Sequence, residues 1–237
     1  MNKTWFTTGA SRGFGRIWTE AALRRGDNVA ATARKLADVA DLTERFGNAD
    51  LTLALDVTDG EHTNYFGMLR VIQAALPLLR KQGSGHILGV SSALGIVTMP
   101  LIGFYCTSKW AVEALHESLA QEVKPFGIKV TLIEPGAYAT DFGKSAKSAD
   151  VLEPYADFRK QIMANLVNAE FGDPQATSEA ILKLVDAEQP PLRLILGDKN
   201  LPMARAVYAD RLATWEAWED VSNAAQGEPR KSAIAAI

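Results

Sequence analysis

Short runs rich in β-branched and aromatic residues alternate with longer stretches of helical period along this chain. The alternation predicts a parallel sheet covered by helices. Lys3–Thr8 reads as a first strand and Phe14–Arg25 as the helix behind it. Asn28–Thr32 is a second strand, followed by a helix near Leu36–Phe46, and Leu51–Leu55 is a third strand. Met68–Arg80 reads as helix, with Pro77 near its end, and His86–Ser91 as a buried strand after the breaker Gln82-Gly83-Ser84-Gly85. A long helix is expected from about Phe104 to Lys124, a strand at Ile128–Ile133, a helix at Pro174–Asp186 and a closing strand at Arg193–Leu196. Met203–Val221 reads as the last helix. The small, polar stretch Ser222–Ile237 has no clear period and is expected to be poorly ordered. With no internal repeat and no interdomain linker, residues 1–237 are expected to form one α/β domain, a doubly wound parallel sheet with helices on both faces.

Composition narrows the partners. A chain of 237 residues with 47% apolar content is enough for one sizeable core. The net charge of −3, with acids and bases interspersed, gives no electrostatic case for nucleic acid. Cys106 is the single cysteine, so an intrachain disulfide is impossible and a reducing cytoplasm is expected. No obvious base accompanies Cys106, which reads as packing rather than as a nucleophile. The start of the chain has too few apolar residues for a signal peptide, and no run approaches the ~20 apolar residues of a membrane span. His62, His86 and His116 are scattered without ligand spacing, so no metal is expected.

Between the first strand and its helix stands Thr8-Gly9-Ala10-Ser11-Arg12-Gly13-Phe14-Gly15. In that context the glycines let the backbone turn sharply and approach a pyrophosphate, whose charge the helix N-terminus favours. A glycine-rich turn in another setting would be only a tight turn. The end of the second strand bears on which dinucleotide is accepted. A carboxylate there would bind the adenosine ribose; here Ala33 is followed by Arg34-Lys35. Arg34, joined by Arg12 from the loop, suits the 2′-phosphate of NADP(H). The plainer alternative is two solvated surface arginines. Asp56, beside Val57 after the third strand, is a candidate partner for the adenine amino group, or a helix cap.

Tyr105 and Lys109 stand four residues apart in Y-C-T-S-K, so on a helix they share one face. Ser92 lies thirteen positions upstream of Tyr105 in V-S-S-A-L-G. A free phenol titrates near 10 and shuttles protons poorly at neutral pH. A neighbouring ammonium, with the positive ring of an oxidised nicotinamide, is expected to stabilise phenolate and lower that value. Tyr105 then becomes a general acid for carbonyl reduction or a base for alcohol oxidation. Ser92 would hydrogen-bond the substrate oxygen, and Lys109 is placed to bind the nicotinamide ribose. Each residue taken singly is as well explained by an ordinary amphipathic helix; it is the joint spacing that carries the chemistry.

The motifs T-G-A-S-R-G-F-G, Asp56-Val57, N-Y-F-G (Asn64 to Gly67), S-S-A-L-G, Y-C-T-S-K and P-G-A-Y-A-T (Pro135 to Thr140) together resemble the classical short-chain dehydrogenase/reductase family, from residue 3 to about 200. The resemblance implies a Rossmann-like fold and assigns Asn64 to ordering a water that links Lys109 to solvent. It implies that Pro135, Gly136 and Thr140 reach the cofactor, although Thr140 also reads as a helix cap. Asp141–Phe171 would be a substrate lid, with Tyr138, Phe142, Tyr155 and Phe158 as apolar wall. The substrate class expected is a small or medium apolar ketone, aldehyde or secondary alcohol. P-L-I-G-F-Y and I-E-P-G are similar to the hydroxysteroid and retinol branch and its bacterial relatives. The resemblance also implies a homodimer or homotetramer built on the Phe104–Lys124 helix.

One departure matters. After Asp59 the family has a helix, a strand ending in asparagine–alanine–glycine, and more helix, whereas here four residues lead straight to Asn64. Roughly 45–50 family residues have no counterpart. In the doubly wound order the absent strand lies between the first strand and the one at His86–Ser91. Removing it leaves about 9.6 Å between neighbours normally about 4.8 Å apart. Buried backbone groups left without partners cost about 1–3 kcal/mol each, against a total stability of about 5–15 kcal/mol. Three readings stand open: the working polypeptide carries a segment that this sequence lacks, a deletion has been absorbed by re-closing the sheet, or the chain is a non-catalytic NADP-binding or regulatory remnant. The folding cost favours the first.

Overall fold

The computed structural model describes residues 2–56, 63–142, 150–166 and 169–228. In the N-terminal part, β1 (Thr4–Thr7) leads through the glycine turn to α1 (Gly13–Arg25), then to β2 (Asn28–Ala33), α2 (Ala40–Phe46) and β3 (Asp50–Ala54). Next come α3 (Thr63–Gln82), β4 (Gly85–Val90), α4 (Gly103–Val123) and β5 (Ile128–Pro135). The C-terminal part holds α5 (Ala156–Leu166), α6 (Thr177–Asp186), β6 (Arg193–Leu196), α7 (Asn200–Ala217) and α8 (Glu219–Ala224). Left-handed glycines stop two elements: Gly26 (φ 94°) ends α1, and Gly127 (φ 68°) turns the chain into β5.

The strands are parallel and fall into two three-stranded sheets among the described residues, ordered β1-β2-β3 and β4-β5-β6. The α/β class expected from the sequence holds. A continuous sheet does not: β1 pairs only with β2, and β4 only with β5. The break falls where the sequence lacks a strand, and the sheet has not re-closed across it. The two edges remain neighbours in space, since Lys3 acts electrostatically on His86 of β4.

What joins the halves is a helix pair. Ile17 and Trp18 of α1 pack with Ile133 of β5, Ile181 and Leu184 of α6 and Leu196 of β6, with Trp5 of β1 against them. The buried Trp18 indole donates to Thr177 Oγ1 at 2.8 Å. On its other flank α1 covers the first sheet, where Ala22, Leu23, Val29, Ala31, Val39 and Leu42 form a second core. The opposite face of that sheet is partly open among the described residues, although Thr32 on it is buried. Phe6, Ala30 and Leu51 are in register, and Phe6 (53%), Leu51 (59%) and Leu53 (41%) are exposed. In the second sheet, by contrast, seven of the eight residues of β5 are buried.

Several boundaries move. α3 is longer than the sequence suggests and carries Pro77 inside it rather than near its end. The expected lid contains α5, unforeseen because Ala156–Leu166 is half polar and mostly exposed. The last helix breaks at Trp218, and α8 continues to Ala224, past the start of the expected tail. Residues 229–237 of that tail lie outside the described residues.

Candidate active site

The glycine turn forms a cradle at the N-terminus of α1. Its Ala10 N–H donates to Thr32 O at 2.8 Å, which ties the turn to β2. Gly9 (φ 69°) and Gly13 (φ 56°) occupy the left-handed region that favours glycine. Gly15 packs so closely on the turn that a Cβ would collide with Gly9 O. Arg12 sits at the N-cap without a side-chain cap bond, and the first turn of α1 holds no acid. The helix end therefore presents free N–H groups and no repelling carboxylate. Ser11 is half-buried in the turn. Arg12 and Arg34 are exposed and form no ion pair among the described residues, unlike Arg16, which is held by Glu20 and Asp41. Phe14 does not face the cradle as a contact residue alone; its ring stacks on Trp18 (5.2 Å) and meets Tyr138 edge-on (5.4 Å). Asp56 is exposed just beyond β3, and Val57 lies outside the described residues.

The second sheet brings three of the expected catalytic groups together. β4 ends at Val90, and the chain turns at Ser92, whose Oγ accepts Leu94 N–H at 3.2 Å and lies 3.5 Å from Pro135 O. Tyr105 and Lys109 stand on α4, which packs on β5. Lys109 Nζ donates to Val90 O at 3.0 Å and lies 5.8 Å from the Tyr105 ring centroid. That bond anchors the ammonium between the end of β4 and the phenol. Burial pulls Lys109 down to about 8, a shift that the Glu113 carboxylate opposes. Burial also pushes Tyr105 above its usual 10, with the Ser92 hydroxyl partly offsetting it. In the chain alone desolvation outweighs the Ser92 hydrogen bond, so any lowering of the phenol would have to come with the positive ring of a bound cofactor. Phe142 leans over the phenol, ring centroids 5.3 Å apart.

Other expectations sort out locally. Asn64 lies in the first turn of α3, and its side chain falls outside the described residues. Pro135 closes β5, and Gly136 is the position where the Asn200 side chain presses on the backbone, leaving no room for a Cβ. Thr140 Oγ1 accepts Phe142 N–H at 3.4 Å, which is the local cap role. Tyr138, expected in the substrate wall, is instead packed between Phe14 and Gly172. Tyr155 and Phe158 are exposed, and Cys106 is buried as packing. No cluster of metal ligands occurs, and no helix is long and apolar enough to cross a membrane, among the described residues.

Sequence reasoning missed the groups behind Lys109. Glu113, Glu134 and Arg193 converge there, with Arg193 Nε 3.0 Å from Glu113 Oε2. A signal existed for Glu113, which continues the Tyr105–Lys109 spacing by one more turn. Glu134 gave a weaker one, a lone acid in the apolar run of β5.

The family model of the short chain dehydrogenases matches residues 61–150, which carry Ser92, Tyr105 and Lys109. "Oxidoreductase BOA17" of Botryotinia fuckeliana is 34% identical, over 94% of this chain and 98% of its own length. A 3-ketodihydrosphingosine reductase of Bacteroides thetaiotaomicron is 30% identical, over 85% of this chain and 89% of its own. A crystal structure of a short-chain dehydrogenase from Streptomyces avermitilis superposes with a TM-score of 0.84 at 32% identity, covering 95% of this chain and 99% of that one. The chain belongs to the short-chain dehydrogenase family, a family of oxidoreductases. The Botryotinia comparison spans 271 positions, yet 94% of 237 residues is only about 223. About 48 aligned positions therefore have no residue here, the size of the segment missing after Asp59.

Proposed function

We propose that this protein is an NADP(H)-dependent carbonyl reductase or alcohol dehydrogenase in which Tyr105 is the general acid and base. The observation that carries this reading is the convergence of Ser92, Tyr105 and Lys109 at the end of β4. The nicotinamide supplies the hydride when bound; the chain supplies alignment and the proton. The cradle fits such a group: positive-φ glycines, an α1 first turn free of acids and two guanidiniums without an ion pair among the described residues. Arg12 and Arg34 would hold the 2′-phosphate that distinguishes NADP(H). No carboxylate at the end of β2 offers the ribose contact that favours NAD.

Ser92 Oγ donates to the carbonyl oxygen of a ketone or aldehyde and orients it. Tyr105, kept protonated by burial, gives its proton to the same oxygen as it gains charge. Lys109, cationic below about 8, stabilises the phenolate left behind. In the free protein the phenol is uncharged, the form in which it can act as an acid toward a carbonyl oxygen. Gly136 and Thr140 would lie beside the cofactor, Asp56 and Val57 beside its adenine, and Asn64 on the solvent side of Lys109. Phe142 over Tyr105 suits an apolar substrate. The groove between α3 and α4, lined by Leu69, Ile72, Leu76, Leu115 and Leu119, is the surface for a homodimer or tetramer. The single buried thiol suits the cytoplasm.

A second reading has one observation in its favour. The split sheet leaves the floor of the nucleotide site open, as in a binding protein that has lost turnover. Oxidation of NADPH and of NADH with a panel of ketones and aldehydes separates the two. Turnover with NADPH, abolished by Tyr105→Phe, supports the reductase; cofactor binding without turnover across the panel overturns it.

A further inference from the structure

Glu113 stands one turn beyond Lys109 and two beyond Tyr105, so the three line one face of α4. Glu113 is 4% exposed, and Glu134, opposite it on β5, is fully buried. Arg193 of β6 reaches both. Its Nε lies 3.0 Å from Glu113 Oε2 and 3.4 Å from Glu134 Oε1, while its far nitrogen bonds the solvent-facing Glu117 at 2.6 Å. One guanidinium therefore serves three carboxyls, two of them removed from water.

The remaining oxygens pose a problem. Glu113 Oε1 and both oxygens of Glu134 are buried without a hydrogen-bond donor among the described residues. Two ionised carboxylates only accept and repel each other; one proton between them turns an acceptor into a donor. The other polar groups nearby do not relieve them. The Ser91 hydroxyl is itself unpartnered and faces Glu113 across Gly95, where a Cβ would stand 2.5 Å from Ser91 Oγ and 3.1 Å from Glu113 Oε1. His116 donates Nδ1–H to Val112 O, which leaves its buried, unpartnered Nε2 an acceptor in the neutral ring, and Arg211 of α7 is bonded to Ile96 O. Lys109 is spent on Val90 O.

We propose that Glu113 and Glu134 share a single proton, carried by Glu134, and that the charge left on Glu113 keeps Lys109 in its ammonium form beside Tyr105. Glu113 is then a positioning residue that acts through Lys109. Burial and the facing Glu113 carboxyl both push Glu134 upward, consistent with its carrying the proton. Glu113 is also the group that resists the loss of the Lys109 proton on burial. The part concerning Lys109 rests on the reductase reading; the shared proton does not.

Glu113→Gln tests the first part. The alkaline limb of kcat/KM for ketone reduction should move down by about one pH unit or more, because Lys109 loses its counter-charge. NADPH affinity, read by fluorescence, should fall over the same range. A merely structural Glu113 would lower the melting temperature and leave both limbs in place, which overturns the proposal. Infrared spectra of the intact protein test the second part without any substrate, and without relying on the folding of Glu113→Gln. A protonated-carboxyl stretch should be present at pH 7 in the wild type and absent from Glu134→Gln. If the wild type lacks that band, the shared proton is refuted. If the band is present but no carbonyl compound is reduced at any pH, the pair stands and the reductase reading falls.

Discussion

The two sheets of this protein are each parallel and both pack on α1, but they differ in how well they are covered. In the β4-β5-β6 sheet, the central strand is buried along almost its whole length, and Ser92 and Lys109 make their contacts at the C-terminal ends of β5 and β4. In the β1-β2-β3 sheet, α1 and α2 cover one face, while Phe6, Leu51 and Leu53 stand exposed on the other. Each sheet has one edge strand at the break, and a strand with an unpaired edge is a weak point in any sheet. The comparison teaches that proton chemistry and nucleotide binding rest on unequal supports. Both halves lack a neighbour at the break, but the half that holds Tyr105 and Lys109 has a buried central strand, whereas the half that holds the glycine cradle exposes apolar residues on one face.

The largest expected effect lies in the better-covered half. Tyr105→Phe should lower turnover by about 10²–10⁴-fold while NADPH still binds, since it removes only the proton donor. An unchanged rate would take Tyr105 out of the mechanism. In the less-covered half, Arg34→Ala should weaken NADPH by about 10–100-fold and NADH hardly at all, the loss of one or two charge-assisted bonds. Equal weakening of both cofactors would make Arg34 an ordinary surface charge.

Hydrogen exchange sharpens the contrast directly. Amides of β1 and β3 should exchange well before those of β5, because local opening is easiest where apolar cover is thin. Uniform protection would show that the halves unfold together. Intact-mass measurement on catalytically active protein adds a covalent check. A mass near 25.7 kDa shows that the split sheet is enough for function, and a heavier one shows that a further segment fills it.

The smallest effect is on pH dependence. Burial, with Lys129 and Lys3 nearby, holds His86 down at about 4, so the folded protein keeps it neutral while the unfolded chain protonates near 6.5. The unfolded state then binds more protons below 6.5, and stability falls as pH drops from about 6.5 to 4. His86→Gln should flatten that limb by about 1–2 kcal/mol, a figure reduced for partial exposure. A thermal-melt series from pH 4 to 7 reads it.

Much of this was legible in the chain because it is local. The glycine turn, the Tyr105–Lys109 spacing and nearly every strand follow from residues within a few positions of one another, where backbone sterics and side-chain period decide. The absent strand was legible only through the family resemblance, which implies a helix, a strand and more helix where four residues link Asp59 to Asn64. Other features depend on what packs from far away. Burial raises Tyr105 in the chain without cofactor, a contribution invisible in the sequence because desolvation is set by neighbours distant along the chain. Tyr138 turned to Phe14 rather than to the substrate wall, and α5 formed where no period announced it. The meeting of Glu113, Glu134 and Arg193 joins a helix and two strands up to 80 residues apart. The sequence by itself determined the parts and their chemistry, since those reside in short-range geometry. Only the tertiary structure decided which charges face one another in the dark and which sheet edge stands open, since both depend on distances between segments that no local pattern encodes.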